Sequence, residues 1–289
     1  MQLSSGPYAS ASRAIDSFSE RFEIFQLTPG NVVPNFERHD AAESSLHLQR
    51  FAQGVEIRFS VPEPQVVVGT IVESHAPIVQ NGTQWHQNEG IAFLKGRVDL
   101  CTQGPCTIAW LQTDRHALAL ETSEAASHEP YALSFQDIAR TAGNAQAERG
   151  LVQNAVRDTA RGLRWAKACS DAGNKRHEFA RHVEDLMWQH IDTLLSLKTI
   201  SKLTARSARS IHYAFTSSFG FGPLTYFKIL RLNAVRKALC DREEKAAIID
   251  IAAEYGFWHL GHFGTSYKEF FGETPSQSRQ RALAEASAT

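Results

Sequence analysis

The 289-residue sequence lacks the hallmarks of several protein classes. Its four cysteines, Cys101, Cys106, Cys169 and Cys240, form no C-x-x-C pair of the kind that holds zinc. No G-x-S-x-G, H-E-x-x-H or glycine-rich phosphate loop occurs. No apolar run approaches the roughly 18 residues that cross a bilayer, and no secretory signal pattern is visible. We therefore expect a cytoplasmic protein without membrane contact, and we predict no enzyme activity, metal or cofactor.

Neither sign of charge dominates the whole chain, whose formal net charge is -1, but the charges are unevenly distributed. Residues 1–174 contain 14 Lys+Arg and 19 Asp+Glu, whereas residues 175–289 contain 16 and 12. A basic C-terminal part beside an acidic N-terminal part is typical of a nucleic-acid-binding module joined to a domain of another kind. A chance distribution of solvated charges is the alternative.

The residue pattern of the N-terminal half is typical of β structure. Short apolar or β-branched runs are separated by turn residues such as Asn81-Gly82 and Gly104-Pro105. Alternation in one run places Val55, Ile57 and Phe59 on one face of a strand. The spacing predicts a barrel or a jelly-roll-like sandwich, folds whose open end often holds a small ligand. The predicted strands are 22–27, 46–51, 55–61, 66–72, 90–94, 97–100, 107–112 and 117–120.

Two tryptophans, Trp85 and Trp110, are the candidates for lining an effector pocket, with plain core packing as the alternative. A metal site requires converging ligands. His75 and His86 are eleven positions apart and form no H-x-H pair, so we interpret them as surface or loop histidines.

Cys101 and Cys106 flank a predicted hairpin tip at Gly104-Pro105. A redox-sensing pair is conceivable there, and two incidental thiols are the favoured interpretation.

From about residue 134 the residue pattern becomes typical of helices. Residues 145–167 are rich in good helix formers and carry one apolar stripe. That stripe covers either the β half of its own chain or the same helix of a second subunit. The domain prediction is a flexible N-terminus (1–20), a β-rich effector-sensing domain (21–130), a helical dimerisation and linker region (131–174) and an all-α domain (175–289). Residues 170–175 are the preferred linker.

The C-terminal part repeats one helix-turn-helix unit at an offset of 52 positions. Phe219-Gly220 corresponds to Phe271-Gly272, Pro223 to Pro275, and Phe215 to Tyr267. Fixed-period similarity of this kind indicates a repeated supersecondary unit. The remaining matches pair Ile211 with Phe263, Leu203 with Tyr255, and Leu197 with Ile249.

Each copy is predicted to hold a short helix, a turn and a second helix. Ser196 and Ser207 are placed to cap the two helices of the first copy. In that copy Leu197, Ile200 and Leu203 are predicted to face inward. A long helix from about 224 to 239 joins the copies, with four buried and four more exposed positions. The buried set is Tyr226, Leu230, Leu232 and Val235, and the exposed set is Lys228, Arg231, Arg236 and Lys237.

Three stretches are the most specific: Y-G-F-W-H-L-G-H-F at 255–263, F-G-E-T-P-S at 271–276, and Arg231-Leu232 in the joining helix. With them, residues 179–281 resemble the AraC/XylS family of bacterial transcription regulators. The G-F-W-H-L-G-x-F motif resembles that of the branch that contains XylS-like and ethanolamine-operon-type regulators. Two features depart from the family pattern: Ala205 stands where the first turn usually has glycine, and no Ser or Thr precedes Ile248.

The resemblance implies a sequence-specific regulator, most simply an activator, that binds double-stranded promoter DNA. Its partners would be a small-molecule effector, RNA polymerase and a second copy in a homodimer. Each second helix would enter a major groove, where all four base pairs are distinguishable. Carried over by position, the base-reading candidates are Arg209, His212 and Tyr213 in the first copy and Leu260, Gly261, His262 and Thr265 in the second. The phosphate candidates are Arg206, Lys228 and Arg231, and a structural salt bridge is the alternative role for Arg231.

Other functions remain open at this point. A regulator controlled by a partner protein is the nearest alternative. A metal-dependent barrel enzyme fused to a DNA-binding domain, and a zinc-held alkyl-acceptor repair protein, are more distant ones.

Overall fold

The computed structural model describes residues 22–31, 35–41, 44–61, 64–87, 90–93, 96–114, 175–241 and 246–287. Strands occupy residues 22–114 of these, and helices occupy residues 175–287. The predicted strand 117–120, the helix over 145–167 and the linker at 170–175 lie outside the described residues, except that Lys175 is the first residue of a helix.

Ten strands are described in the first part. They are β1 (Phe22–Gln26), β2 (Asn35–Ala41), β3 (Ser44–Phe51), β4 (Val55–Val61), β5 (Gln65–Ser74), β6 (Ile78–Gln80), β7 (Thr83–Trp85), β8 (Gly90–Phe93), β9 (Gly96–Cys101) and β10 (Cys106–Asp114).

The strands form two five-stranded antiparallel sheets, ordered β1-β4-β9-β6-β7 and β2-β3-β10-β5-β8. The orders β4-β9-β6-β7 and β3-β10-β5-β8 are those of a jelly roll, to which β1 and β2 each add an edge strand. Val55, Ile57 and Phe59 share a core with Ile71 and Ile108, so side chains of the two sheets pack together. The predicted jelly-roll-like sandwich is confirmed.

Seven of the predicted strands coincide with observed ones, and three observed strands were missed. β2 reads N-F-E-R-H-D-A and carries too few apolar residues to be recognised. β6 and β7 have three residues each, joined by the Asn81-Gly82 turn, whose two residues have φ of 46° and 82°. The predicted hairpin at Gly104-Pro105 is wrong, because β9 and β10 lie in different sheets.

Seven helices are described in the second part. They are α1 (Lys175–Gln189), α2 (Leu197–Thr204), α3 (Ala208–Phe219), α4 (Pro223–Leu239), α5 (Ile248–Glu254), α6 (Leu260–Phe271) and α7 (Pro275–Ser287).

The predicted repeat is present in the helices. α6 begins and ends 52 positions after α3, and each of these helices ends at a glycine in the left-handed conformation, Gly220 and Gly272. Phe215 and Tyr267 are fully buried at equivalent positions, as predicted. In the first short helix, however, Leu203 is 51% exposed, so its inward assignment was wrong.

The caps of the first unit follow the sequence closely. The Ser196 and Ser207 hydroxyls each accept a hydrogen bond, 3.1 Å long, from the backbone N–H three residues later. Ala247 precedes α5 and supplies no side-chain cap, as the sequence indicated. Ala205 adopts the left-handed conformation, with φ of 52°, in the turn between α2 and α3. This backbone geometry disfavours residues with a Cβ.

The sandwich and the helices meet at a buried group of charges, which we call the junction cluster: Glu56 and Arg58 of β4, Asp99 of β9, Arg181 and Glu184 of α1, and Tyr226 of α4. Arg181 pairs with Glu56 and with Asp99, at 2.5 and 2.9 Å, and Arg58 pairs with Glu184. The alternation in β4 therefore does not divide buried from solvated positions. Glu56 and Arg58 face the helices instead of water.

Candidate nucleic-acid interface

The outer face of α3 presents the three predicted base-reading side chains of the first unit. Arg209, His212 and Tyr213 are all exposed, and Tyr213 keeps 57% of its surface accessible. The opposite face holds Ile211 and Phe215, both fully buried, which fix the rotation of the helix. The structure thus brings these three candidates onto one accessible surface.

Arg176, in the first turn of α1, was missed by the sequence analysis. Its guanidinium lies 4.5 Å from the centre of the Tyr213 ring, a cation–π contact. Arg206 is exposed and lies 5.7 Å from the ring of Phe179, also on α1. The N-terminal part of α1 therefore flanks α3 and adds positive charge beside the reading face. No sequence signal marked Arg176, because α1 precedes the repeated unit.

In the second unit, Gly261, His262 and Thr265 lie exposed on the outer face of α6. The Thr265 hydroxyl donates to the Gly261 carbonyl at 3.2 Å, within the helix. The side chain of Leu260 lies outside what the structure describes. This face carries fewer charged and hydrogen-bonding groups than the face of α3.

The two phosphate candidates on α4 have different environments. Lys228 is exposed, and its ammonium group donates to the Ser266 hydroxyl of α6 at 3.2 Å. Arg231 is only 8% exposed; it donates to the carbonyls of Ile191 and Thr193. The guanidinium of Arg231 also lies 4.1 Å from the centre of the Phe227 ring.

Two of the predicted exposed positions on α4 are corrected by these contacts. Arg231 and Arg236, 8% and 3% exposed, are both buried. The guanidinium of Arg231 donates to carbonyl groups of the segment after α1. Sequence periodicity missed this because α4 is buried on nearly every side.

The effector candidates are both in the sandwich. Trp110 is 1% exposed, its ring meets Phe59 edge to face, and its indole N–H donates to Gln49 at 2.8 Å. Trp85 is half-buried against the same core, and its indole N–H is buried without a hydrogen-bond partner among the described residues.

A row of buried polar side chains accompanies Trp110, and the sequence analysis missed it. His47 is the cross-strand neighbour of Trp110, and Ser45 is that of Gln112. Directly opposed residues share a face of the sheet. The His47 ring and the Ser45 hydroxyl are 2.8 Å apart, and the Gln49 amide nitrogen is buried without a partner within the described part of the chain. The alternation of these residues with Leu46 and Leu48 was the available signal.

The remaining predicted features of the sandwich are two histidines and two cysteines. His75 and His86 are exposed, and among the described residues no three His, Cys, Asp or Glu side chains are grouped to hold a metal ion. Burial raises the pKa of Cys106 to about 12 and that of Cys101 well above its ordinary value. Reactive redox thiols need a lowered pKa. No described helix is long and apolar enough to span a membrane.

Known proteins resemble the helical part of the chain. A family model for a helix-turn-helix domain matches residues 200–281. The XylDLEGF operon transcriptional activator of Pseudomonas putida is 34% identical over 92 residues, which are 32% of this chain and 29% of the activator. A probable AraC family transcriptional regulator from Rhodopseudomonas palustris, known from its crystal structure, is 33% identical; the match covers 36% of this chain and 95% of that one, with a TM-score of 0.33. Through its helix-turn-helix domain, this chain belongs to the AraC/XylS family.

A third relative is the probable thc operon regulatory protein of Rhodococcus erythropolis, 31% identical over 94 residues. That match covers 32% of this chain and 28% of the relative. The chain thus spans less than a third of the length of either of these two curated AraC/XylS relatives. The matched helix-turn-helix domain, residues 200–281, contains α3 and α6.

Proposed function

We propose that this AraC/XylS regulator binds promoter DNA and activates transcription. In this proposal α3 and α6 lie in successive major grooves. The exposed face with Arg209, His212 and Tyr213 is the observation that carries this proposal. An arginine that approaches a guanine from the major groove contributes about 1–3 kcal/mol of discrimination. The P. putida relative is named an activator, which supports activation here.

In this proposal the first unit reads most of the sequence. Arg209, His212 and Tyr213 supply side chains that reach base edges, with Arg176 beside Tyr213. The second unit, with Gly261, His262 and Thr265 and the N-terminal Leu260 of its reading helix, mainly fits the backbone of the second groove. Arg206 and Lys228 contact phosphates. Arg231 has no such role.

The sandwich would bind a small polar effector. Two buried N–H groups, on the Gln49 amide and the Trp85 indole, have no partner in the described part of the chain. Buried donors without acceptors are costly, and a ligand that carries acceptor oxygens would satisfy them. Trp110 holds Gln49 in place. Effector binding would shift the population toward the arrangement that engages both DNA elements.

The full regulator would act as a homodimer that contacts RNA polymerase, with the sensing domain at 21–130, the dimerisation and linker region at 131–174 and the DNA-binding domain at 175–289. Family membership supports this assembly. The stripe-bearing helix that would pair two subunits falls outside the described residues.

The proposal is tested by selecting duplexes from a random-sequence DNA library with the full-length chain. Footprinting of the selected duplex should give two protected elements about one helical turn apart, and binding should weaken steeply with salt. A single protected element, or no enriched duplex at low salt, contradicts the proposal. Repeating the binding measurement with panels of small carboxylic acids and amines tests the effector. If no compound changes occupancy, control by a partner protein becomes the better explanation.

A further inference from the structure

The two reading helices end in equivalent residues, Phe219-Gly220 on α3 and Phe271-Gly272 on α6. Residues of the sandwich contact the end of each of these helices. Both glycines have positive φ, 80° and 74°, and both phenylalanines are fully buried. The 52-residue repeat explains the likeness of the two helix ends. It does not explain why two different parts of the sandwich should contact them.

At the end of α3, Phe219 lies under an arginine that is paired with the sandwich. The guanidinium of Arg181 is 4.8 Å from the centre of the Phe219 ring. The same guanidinium pairs with Glu56 and Asp99 of the sandwich. The next residue, Gly220, is covered by the side chain of Gln103, from the turn between β9 and β10, so closely that a Cβ on Gly220 would overlap it.

At the end of α6, the arrangement recurs with different residues. The guanidinium of Arg236 is 4.4 Å from the centre of the Phe271 ring, and it donates to the Gln26 side-chain oxygen of the sandwich at 3.0 Å. The carbonyl of Phe270 accepts hydrogen bonds from the Gly30 N–H at 2.9 Å and from the Gln26 amide at 3.0 Å. Carbonyls in the last turn of a helix have no partner within the helix, so these bonds satisfy one of them.

Gln26 also binds the helix that joins the two units. Its backbone N–H donates to the Asn233 side-chain oxygen at 2.9 Å, and the Asn233 amide donates back to the Gln26 carbonyl at 2.8 Å. Gln26 is fully buried, so it links β1, α4 and α6 at a single place away from water. The contacts leave Arg209, His212 and His262 exposed.

We propose that Gln26 and Gln103 are positioning residues through which the sandwich sets the separation and relative angle of α3 and α6, and so the spacing of the two DNA elements that the protein accepts. This inference rests on the proposed DNA-binding function. Without the sandwich, the position of one helix-turn-helix unit relative to the other would be set mainly by α4, the helix that joins them. A packed sandwich that touches both helix ends adds a second, independent connection. Neither glutamine touches DNA in this scheme.

The test uses the full chain and the duplex that it selects from a random library, together with versions in which two base pairs are inserted between the protected elements. Such an insertion moves one element by about 7 Å and rotates it by about 70°. We expect the insertion to weaken binding by the unmodified chain at least about tenfold, since even one mismatched base pair typically weakens specific binding by about that factor. In the Gln26→Ala/Gln103→Ala double variant, the penalty should fall at least about twofold, the lower end for removing coupling residues.

Gln112→Ala is the matched control, because Gln112 is a buried sandwich glutamine whose amide donates to the Gln65 side-chain oxygen within the sandwich at 2.6 Å. It should keep the full spacing penalty. The single variant Gln103→Ala alters an exposed side chain, so it tests the α3 contact without a core substitution. An unchanged penalty in the double variant overturns the inference, and so does an equal loss of the penalty in Gln112→Ala. Failure of the unmodified chain to select any duplex contradicts the proposed function itself.

Discussion

The phenol oxygen of Tyr226 on α4 lies 2.9 Å from the carboxylate of Glu56 on β4, across 170 positions of the chain. The same oxygen lies 2.9 Å from Glu184 and accepts from Arg58 at 3.0 Å. Burial opposes the charged form of Glu56, but Arg181 and Arg58 outweigh it and lower the pKa of Glu56 from 4.5 to about 2. The carboxyl group of Glu56 is therefore ionised when the sandwich and the helices are packed together.

Glu56→Gln should destabilise the chain at neutral pH by about 3 kcal/mol, because it removes the buried carboxylate that pairs with both Arg58 and Arg181. The pKa of Glu56 is depressed by folding, so its contribution is fully present above pH 4.5 and is lost as the pH falls from about 4.5 to about 2. The stability difference between the variant and the unmodified chain should narrow across that window. Urea unfolding at stepped pH measures it.

Glu37→Gln is the control for this experiment. Glu37 pairs with Arg50, but both side chains are at least one-third exposed. Exposed pairs contribute about 0–1 kcal/mol, so this variant should stay close to the unmodified chain at every pH. A constant difference between Glu56→Gln and the unmodified chain from neutral pH to the acid limit would contradict the assigned ionisation.

Arg209→Ala should relax the preference at one base pair of the selected duplex, with a loss of about 1–3 kcal/mol in discrimination. Lys228→Ala should instead weaken binding to all sequences alike and reduce the slope of log affinity against log salt by about one. Binding titrations on a set of singly substituted duplexes, at several salt concentrations, separate the two effects.

Lys237→Ala removes the same charge from a site beside the sandwich, where Lys237 lies 3.5 Å from Glu23 and is 60% exposed. It should change neither the base preference nor the salt slope. If Arg209→Ala behaves like Lys237→Ala, α3 does not read DNA with this side chain.

Those parts of the fold that depend only on neighbouring residues in the sequence could be predicted. Ser196 and Ser207 cap helices because a hydroxyl before the first turn satisfies a free N–H, and that chemistry needs no tertiary information. The repeat likewise revealed α3 and α6 through spacing alone. β2 escaped prediction because its residues are mostly polar, and a polar strand is identified only by its partner β3.

The site was less predictable where burial depends on the other half of the molecule. Glu56 and Arg58 look like a solvated strand face, and only the position of α1 makes them part of a junction. Arg231 resembles an exposed cation on an amphipathic helix, yet carbonyls from the segment after α1 bind it. Arg176 could not be identified, since its proximity to Tyr213 arises from the packing of α1 on α3.

Arg231→Ala should lower the stability of the DNA-binding domain by about 1–3 kcal/mol, because it leaves the carbonyls of Ile191 and Thr193 without a donor and removes the contact with Phe227. The salt slope of the DNA affinity, measured where the variant is still folded, should not change. Unfolding curves and salt titrations test the two statements separately. A slope reduced by one, with normal stability, would restore Arg231 as a phosphate contact.

Ala205→Gly should stabilise the first unit by about 0.5–1 kcal/mol. Ala205 has φ of 52° and ψ of 32° in the turn before α3, a conformation that costs alanine about 1–2 kcal/mol and glycine almost nothing, while the greater freedom of glycine in the unfolded chain removes part of the gain. Ala214→Gly is the opposite control: Ala214 lies buried inside α3, where glycine should destabilise by at least about 0.5–1 kcal/mol. Thermal unfolding of the two variants should shift in opposite directions. A shift in the same direction would mean that the backbone before α3 does not hold the left-handed conformation.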